Sequence, residues 1–552
     1  MSDKDGNTAP PDVAEDTDAA AALATKEPEG ELVRGEAGVE RANNKKKFIG
    51  LGVGLALAVL VYFIFPDNAA ELADSAELAN LQDDAERIGP FDLEAMRITA
   101  AIMVLMGALW MTGALPLAAT AFIPLVAFPV FQIAGFGDVS SSYADSIIFL
   151  FLGGFVLALG IQRWGLHRRV ALLVVLAVGT KPKQLVLGFM VATGFVSMWV
   201  SNTATAVLML PIGVSVLALT AEKVGGHKNQ KKFATALMLA IAYAASIGSL
   251  GTLIGTPPNA LMAAYMNNTH GIEIGFGKWM LVGMPIAIVF TVLAWLVLIT
   301  VFKPEMKEIP GGKELIKQEI ANMGKISRAE ITAGIIFVCT AVAWISFPLL
   351  ASYAGWWNIT IDDSTIAMTA AVLMYVIPVN DRGTRVMDWE HSKEIPWDVL
   401  ILFGGGLALS SMVTASGLSL WIGEMAKGMG GLPIVLLVFA IAAVVLFLTE
   451  FTSNTASAAT FIPIMGGVAT GIGLTGDGLI NVLILVIPTA LAATCAFMLP
   501  VATPPNAIAY GSGYVEAGVM LKGGIWLNVI AIFLITITVF ALAVPVFGLT
   551  FG

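Results

Sequence analysis

Apolar residues in this chain gather into blocks of about 20, separated by short polar segments, and within a block they show no strict alternation. A helix rises about 1.5 Å per residue, so such a block can cross the roughly 30 Å hydrocarbon core of a bilayer. Blocks at about 48–65, 97–113, 117–134, 147–165, 234–262, 278–302, 331–350, 364–379, 397–420, 482–510 and 525–548 predict membrane-crossing helices. The alternation of an outer-membrane barrel is missing. The pattern predicts an all-α polytopic membrane protein with about 11 transmembrane helices.

Two further apolar blocks do not fit as crossings. The first, 185–219, has Lys181 and Lys183 before it and Lys223, Lys228, Lys231 and Lys232 after it. Basic residues favour the cytoplasmic side, so both of its ends belong there. Its middle is interrupted by Ser201-Asn202-Thr203. A re-entrant hairpin turning at that break satisfies both facts, because irregular backbone survives at membrane depth when protein or a cavity surrounds it. The block 432–470, broken at Ser453-Asn454-Thr455, reads as a second hairpin opened from the other side.

Charge sets the orientation. Lys45-Lys46-Lys47 precedes the first block, whereas the loop 66–95 holds nine acids against Arg87. The N-terminus is therefore expected in the cytoplasm and that loop outside. Arg163, Arg168 and Arg169, the loop 303–330, and Arg382, Arg385 and Lys393 then return inside, and the C-terminus ends outside. A multi-pass protein of the inner (plasma) membrane follows.

Composition agrees, with 57% hydrophobic and only 13% charged residues, where a soluble domain carries about 25%. The net charge of -10 comes partly from residues 1–44, a polar, acid-rich stretch expected to be a disordered cytoplasmic tail. Cys339 and Cys495 lie in apolar blocks and imply neither a disulfide framework nor a metal site. His167, His227, His270 and His391 show no ligand spacing. Scattered Arg and Lys residues exclude a nucleic-acid surface, and no nucleophile–base set suggests an enzyme. Gly153-Gly154 and Gly404-Gly405-Gly406 match no nucleotide loop and suggest close helix packing.

An internal repeat locates the chemistry. Ser201-Asn202-Thr203-Ala204 recurs as Ser453-Asn454-Thr455-Ala456, and Thr256-Pro257-Pro258-Asn259-Ala260 recurs as Thr503-Pro504-Pro505-Asn506-Ala507. The Ser-to-Thr intervals are 55 and 50 residues. Ser197 and Thr449 each stand four residues before their Ser. This divides the chain into 1–44, a first helix with its outer loop over 45–95, a first repeat 96–302, a linker 303–330 and a second repeat 331–552. Oppositely opened hairpins make the repeats inverted, the usual plan of secondary transporters. Taken singly, residues such as Ser246 or Thr494 read first as helix-packing groups.

Asn and Thr donate to carboxylates, while their oxygens and freed backbone carbonyls ligate hard cations. Hairpin tips also offer helix N-termini to anions. No Arg or Lys falls in the four motifs, so bound cations would have to offset a buried dianion. Glu450, three residues before Ser453, is an ionisable group in an apolar block, with a structural or tuning role expected over proton coupling.

These motifs, with Ala242-Tyr243-Ala244-Ala245-Ser246-Ile247-Gly248, resemble the divalent anion/sodium symporter family over about 96–550. The resemblance implies an elevator-type, homodimeric symporter. It would couple at least two sodium ions to uptake of C4-dicarboxylates such as succinate, fumarate and malate. A citrate or sulfate carrier, or a cation-independent exchanger, are the alternatives. It further implies sodium sites at Ser197, Ser201, Asn202 and Gly255, and at Thr449, Thr452, Asn454 and Ala502. Substrate would meet Asn202, Thr203, Thr256 and Pro257 with Asn454, Thr455, Thr503 and Pro504. Position 452 is Thr where the family carries Ala.

Overall fold

The computed structural model describes residues 29–80, 89–179, 181–224, 226–306, 308–309, 312–354, 361–429, 431–474 and 481–550. Among them the fold is helical, and nine helices are long and apolar enough to cross a membrane. In chain order the principal helices are α1 (Glu29–Ile64), α2 (Leu93–Thr112), α3 (Ser146–Arg163), α4 (Leu166–Val178), α5 (Pro182–Ser197) and α6 (Asn202–Val224). There follow α7 (Lys231–Ser249), α8 (Pro257–His270), α9 (Phe276–Val301), α10 (Arg328–Ala354), α11 (Asp363–Val376) and α12 (Trp397–Ala415). The chain ends with α13 (Ile434–Thr449), α14 (Asn454–Gly471), α15 (Leu483–Thr494), α16 (Pro504–Gly511) and α17 (Ala517–Thr538).

Local chemistry sets the boundaries. Asp92 caps α2 by accepting from the Glu94 and Ala95 amides, and Gly113 ends it at φ +60°. Asp145 caps α3 through the Ile147 amide. Pro182, Pro257 and Pro504 each sit in the first turn of a helix, where the missing N–H is no loss.

The structure departs from the apolar pattern at five places, one of them the block 117–134, where two short helices, Leu117–Thr120 and Ile123–Val130, replace a single crossing. The blocks 234–262 and 482–510, read as continuous crossings, are each broken, the first over 250–256 between α7 and α8, the second over 495–503 between α15 and α16. The first break is Leu250-Gly251-Thr252-Leu253-Ile254-Gly255, apolar enough to hide from hydropathy. A short helix, Ala69–Asn80, lies inside the loop 66–95. Helix α1 begins at Glu29, inside the stretch expected to be disordered, where Glu, Leu, Val, Arg and Ala alternate with three glycines. Residues 1–28 of that stretch lie outside the described residues.

Close helix approach uses glycine as expected. A methyl at Gly153 would meet the Ala367 backbone carbonyl at 2.6 Å, and one at Gly405 would collide with the Ala121 carbonyl. Between α5 and α7, a methyl at Gly248 would enter the Gly194 backbone. Gly248→Ala is therefore expected to destabilise the protein by about 1–3 kcal/mol, read as a lower thermal midpoint in detergent. An unchanged midpoint would contradict the close packing.

The basic loops assemble at one end of the bundle. Arg163 pairs with Asp388 at 2.6 Å, Arg168 with Glu319 at 2.8 Å, and the buried Arg169 with Glu330 at 2.7 Å. Lys231 reaches Glu516 at 2.9 Å. Asp388 accepts from the His391 amide and ring, which hold its carboxyl down at about 2. It stays ionised opposite Arg163 at any ordinary pH.

Candidate functional site

Helices α5 and α6 meet at the turn 198–201, and α13 and α14 meet at 450–453, so neither apolar block is a continuous helix. The two turns are built alike. The Ser197 hydroxyl lies 2.9 Å from Asn202 Oδ1 and 2.7 Å from the Ala245 carbonyl. The Thr449 hydroxyl lies 3.0 Å from Asn454 Oδ1 and 3.0 Å from the Ala493 carbonyl. A hydroxyl carries one proton, so each cluster gathers more acceptor oxygens than it can supply with donors. Such an excess suits a cation.

Each Asn amide then reaches into the broken helix beyond. Asn202 Nδ2 donates to Ser249 Oγ at 3.3 Å, and Asn454 Nδ2 to the Thr494 carbonyl at 3.5 Å. Gly255 lies against Ser249, where a methyl would collide with the Ser249 carbonyl. That places Gly255 beside the first cluster. Ala502 is buried in the second break, its amide bonded to the Leu499 carbonyl at 3.2 Å.

Other candidate residues have different positions. Ser201 caps α6, its hydroxyl accepting from the Ala204 amide at 3.2 Å. The Thr452 hydroxyl is engaged with Ser457 Oγ at 2.6 Å and the Leu448 carbonyl at 3.2 Å. Its side chain is thereby occupied, leaving the carbonyl as the group it can offer. Thr203 is exposed at the start of α6, while Thr455 is buried at the start of α14. Thr256 and Thr503 are buried at the N-caps of α8 and α16, and Thr503 Oγ1 accepts from the Asn506 amide at 3.3 Å. Pro257 is half-buried and Pro504 exposed.

One hydroxyl contact joins the two candidate half-sites. Thr256 Oγ1 lies 3.3 Å from Thr494 Oγ1, and the Thr494 carbonyl is the acceptor for Asn454. Thr494, which sequence alone left as a packing residue, links the half-sites. Its counterpart Ser246 is buried with a hydroxyl that has no partner among the described residues.

Asn259 and Asn506 were legible in the repeat but carried no assigned role. Asn259 Nδ2 donates to the Leu250 and Thr252 carbonyls at 3.3 and 2.9 Å. Asn506 Nδ2 donates to the Ala496 and Leu499 carbonyls, both at 3.1 Å. Each amide therefore pins the break that precedes its helix. Their side-chain oxygens are buried without a donor among the described residues.

The two half-sites differ most in chemistry at one position. After Ser197 comes Met198, whose carbonyl accepts from the Thr252 hydroxyl. After Thr449 comes Glu450, fully buried, accepting from the amides of Phe497 (2.8 Å), Met498 (2.9 Å) and Leu499 (3.1 Å), and from Asn528 Nδ2 (2.6 Å). All four partners donate, as an ionised carboxylate requires. No Lys or Arg pairs with it among the described residues.

Comparison with known proteins follows this geometry. The family described as "Sodium:sulfate symporter transmembrane region" matches residues 57–549. The "Sodium-dependent dicarboxylate transporter SdcS" of Staphylococcus saprophyticus is 40% identical over 518 residues, covering 92% of this chain and 94% of that protein. The protein of the same description in Staphylococcus aureus strain USA300 is 43% identical over 448 residues, 80% of this chain and 84% of its own length. The YdaH transporter of Alcanivorax borkumensis shares the fold at a TM-score of 0.51 and 10% identity, over 89% of this chain and 99% of that one. With nearly the whole membrane region matched, the chain belongs to the sodium:sulfate symporter family, the divalent anion/sodium symporters that its paired motifs resemble.

Proposed function

We propose that this transport protein is a secondary symporter coupling sodium ions to the uptake of C4-dicarboxylates such as succinate, fumarate and malate. The observation that carries this reading is the pair of matching hydroxyl–Asn–carbonyl clusters joined through Thr256 and Thr494. Each cluster offers oxygen ligands to one sodium ion, through Ser197, Ser201, Asn202 and Gly255 and through Thr449, Thr452, Asn454 and Ala502. Between them, the N-termini of α6 and α14, with Asn202, Thr203, Asn454 and Thr455, receive the substrate carboxylates. Thr256, Pro257, Thr503 and Pro504 flank it. The similarity to transporters described as sodium-dependent dicarboxylate carriers supports both halves of the proposal.

Coupling then follows from charge. The clusters hold no Arg or Lys, so a dianion there is tolerable only beside bound cations, and each ligand raises the affinity for the other. The two turns act as re-entrant hairpins of inverted repeats, which ride together past the rest of the bundle in a homodimer by an elevator motion. Gathering of the basic loops at one end of the bundle, through Arg163–Asp388, Arg168–Glu319 and Lys231–Glu516, supports a cytoplasmic N-terminus and an outer C-terminus.

Substrate class is tested by competition in proteoliposomes under an inward sodium gradient. Unlabelled fumarate and malate are expected to suppress succinate uptake at concentrations where citrate and sulfate do not. Stronger suppression by sulfate or citrate would overturn the dicarboxylate assignment.

A further inference from the structure

A groove of about 570 Å³ runs along α10, walled by α4 (Leu166, Val170), by α5 (Phe195, Val196) and by Ile335 and Val338 of α10 itself. That volume is in the range of about 300–1,000 Å³ usual for small-molecule sites. His167 and Glu330 lie toward one end, and Trp199, in the first hairpin turn, and Cys339 also line it. Everything else on its walls is apolar or glycine.

We propose that the groove binds an anionic phospholipid, with one acyl chain against α10 and its headgroup at the basic end. Three observations on the page favour that occupant. Ile335 and Val338 are 58% and 57% exposed, continuous with Ile331, Val342 and Ile345 along an apolar face of α10, so the groove opens toward hydrocarbon. From Glu330 to Cys339 the helix rises about 14 Å, close to the ~15 Å depth of one leaflet. At the polar end sits a cluster of opposite charges in which the cations exceed the acids. Arg168 is taken by Glu319, Arg169 by Glu330 and Arg328 by Asp381, while Lys325, exposed beside Ile326 of the groove, makes no ion pair among the described residues. An exposed lysine at that depth is suited to a phosphodiester.

The test is native mass spectrometry of the purified full chain in detergent, with equal concentrations of phosphatidylglycerol or phosphatidylcholine. Wild type is expected to retain phosphatidylglycerol preferentially. Val338→Trp, which fills the groove from an exposed position, is expected to lose one such adduct per chain. Lys325→Ala is expected to keep the adduct but lose its headgroup preference by about fivefold. Equal retention of both lipids by wild type and Val338→Trp would mean a non-specific lipid shell and overturn the proposal. An unaltered preference in Lys325→Ala would overturn the headgroup assignment. A fall in oligomeric mass for Val338→Trp would make the groove a contact between copies and likewise overturn it.

Discussion

Asn202→Ala and Asn454→Ala are each expected to cut sodium-driven succinate uptake by about 30-fold or more, the equivalent of about 2 kcal/mol for a lost bond to a charged group. Each Asn holds two parts of its half-site at once. Its oxygen faces the Ser197 or Thr449 hydroxyl, and its amide reaches Ser249 or the Thr494 carbonyl in the adjoining break. Truncation removes a proposed cation ligand and unties the turn from the broken helix. Folding should survive, because Ser197 keeps the Ala245 carbonyl and Thr449 keeps the Ala493 carbonyl as acceptors. Uptake by each variant in proteoliposomes, alongside its size-exclusion profile, checks this. Wild-type uptake in either would remove that residue from the site.

Glu450→Gln is expected to be the most damaging conservative change in the second half. The carboxylate serves four N–H donors from Phe497, Met498, Leu499 and Asn528. A glutamine has one acceptor oxygen, and its own N–H groups would face donors, so at least one buried amide loses its partner at about 1–3 kcal/mol. The charge matters separately. Glu450 follows Thr449 directly, so its carboxyl stands beside the second candidate cluster, whereas the first has Met198 in that place. The variant should therefore show a lower thermal midpoint and a sodium dependence of uptake shifted to higher concentration. A lower midpoint with unchanged sodium dependence would confine Glu450 to bracing the break. If neither property changes, the geometry is contradicted.

Much of this architecture can be read from the chain because membrane helices are long and chemically uniform. The blocks at 278–302 and 397–420 correspond closely to α9 and α12, and the polar breaks at Ser201-Asn202 and Ser453-Asn454 stand out against apolar surroundings. The second pair of breaks does not stand out. Residues 250–256 and 495–503 are small or apolar, and their backbone is held open by Asn259 and Asn506 from the following helices. Hydropathy measures transfer free energy and is blind to such side-chain-to-carbonyl bonds. The repeat nevertheless contained the signal, since both asparagines belong to its Thr-Pro-Pro-Asn motifs.

Glu450 and Thr494 teach the same lesson at longer range. The donors to Glu450 lie 47 to 78 residues away in sequence, and Thr494 meets Thr256 across 238 residues. An acid in an apolar block signals function without naming its partners. A threonine in a helix usually bonds its own preceding turn, as Thr489 does with the Leu485 carbonyl. Only the tertiary arrangement distinguishes Thr494 from it.

Sodium replacement tests the central claim most directly. Radiolabelled succinate uptake into proteoliposomes of the purified chain is measured with external sodium, then with sodium exchanged for potassium at constant ionic strength. Uptake should collapse to the level of protein-free vesicles, because, as proposed, the two oxygen clusters hold the smaller cation beside the dianion. Uptake that continues unchanged in potassium would mean that the acidic substrate enters without these cations, and the account would fail.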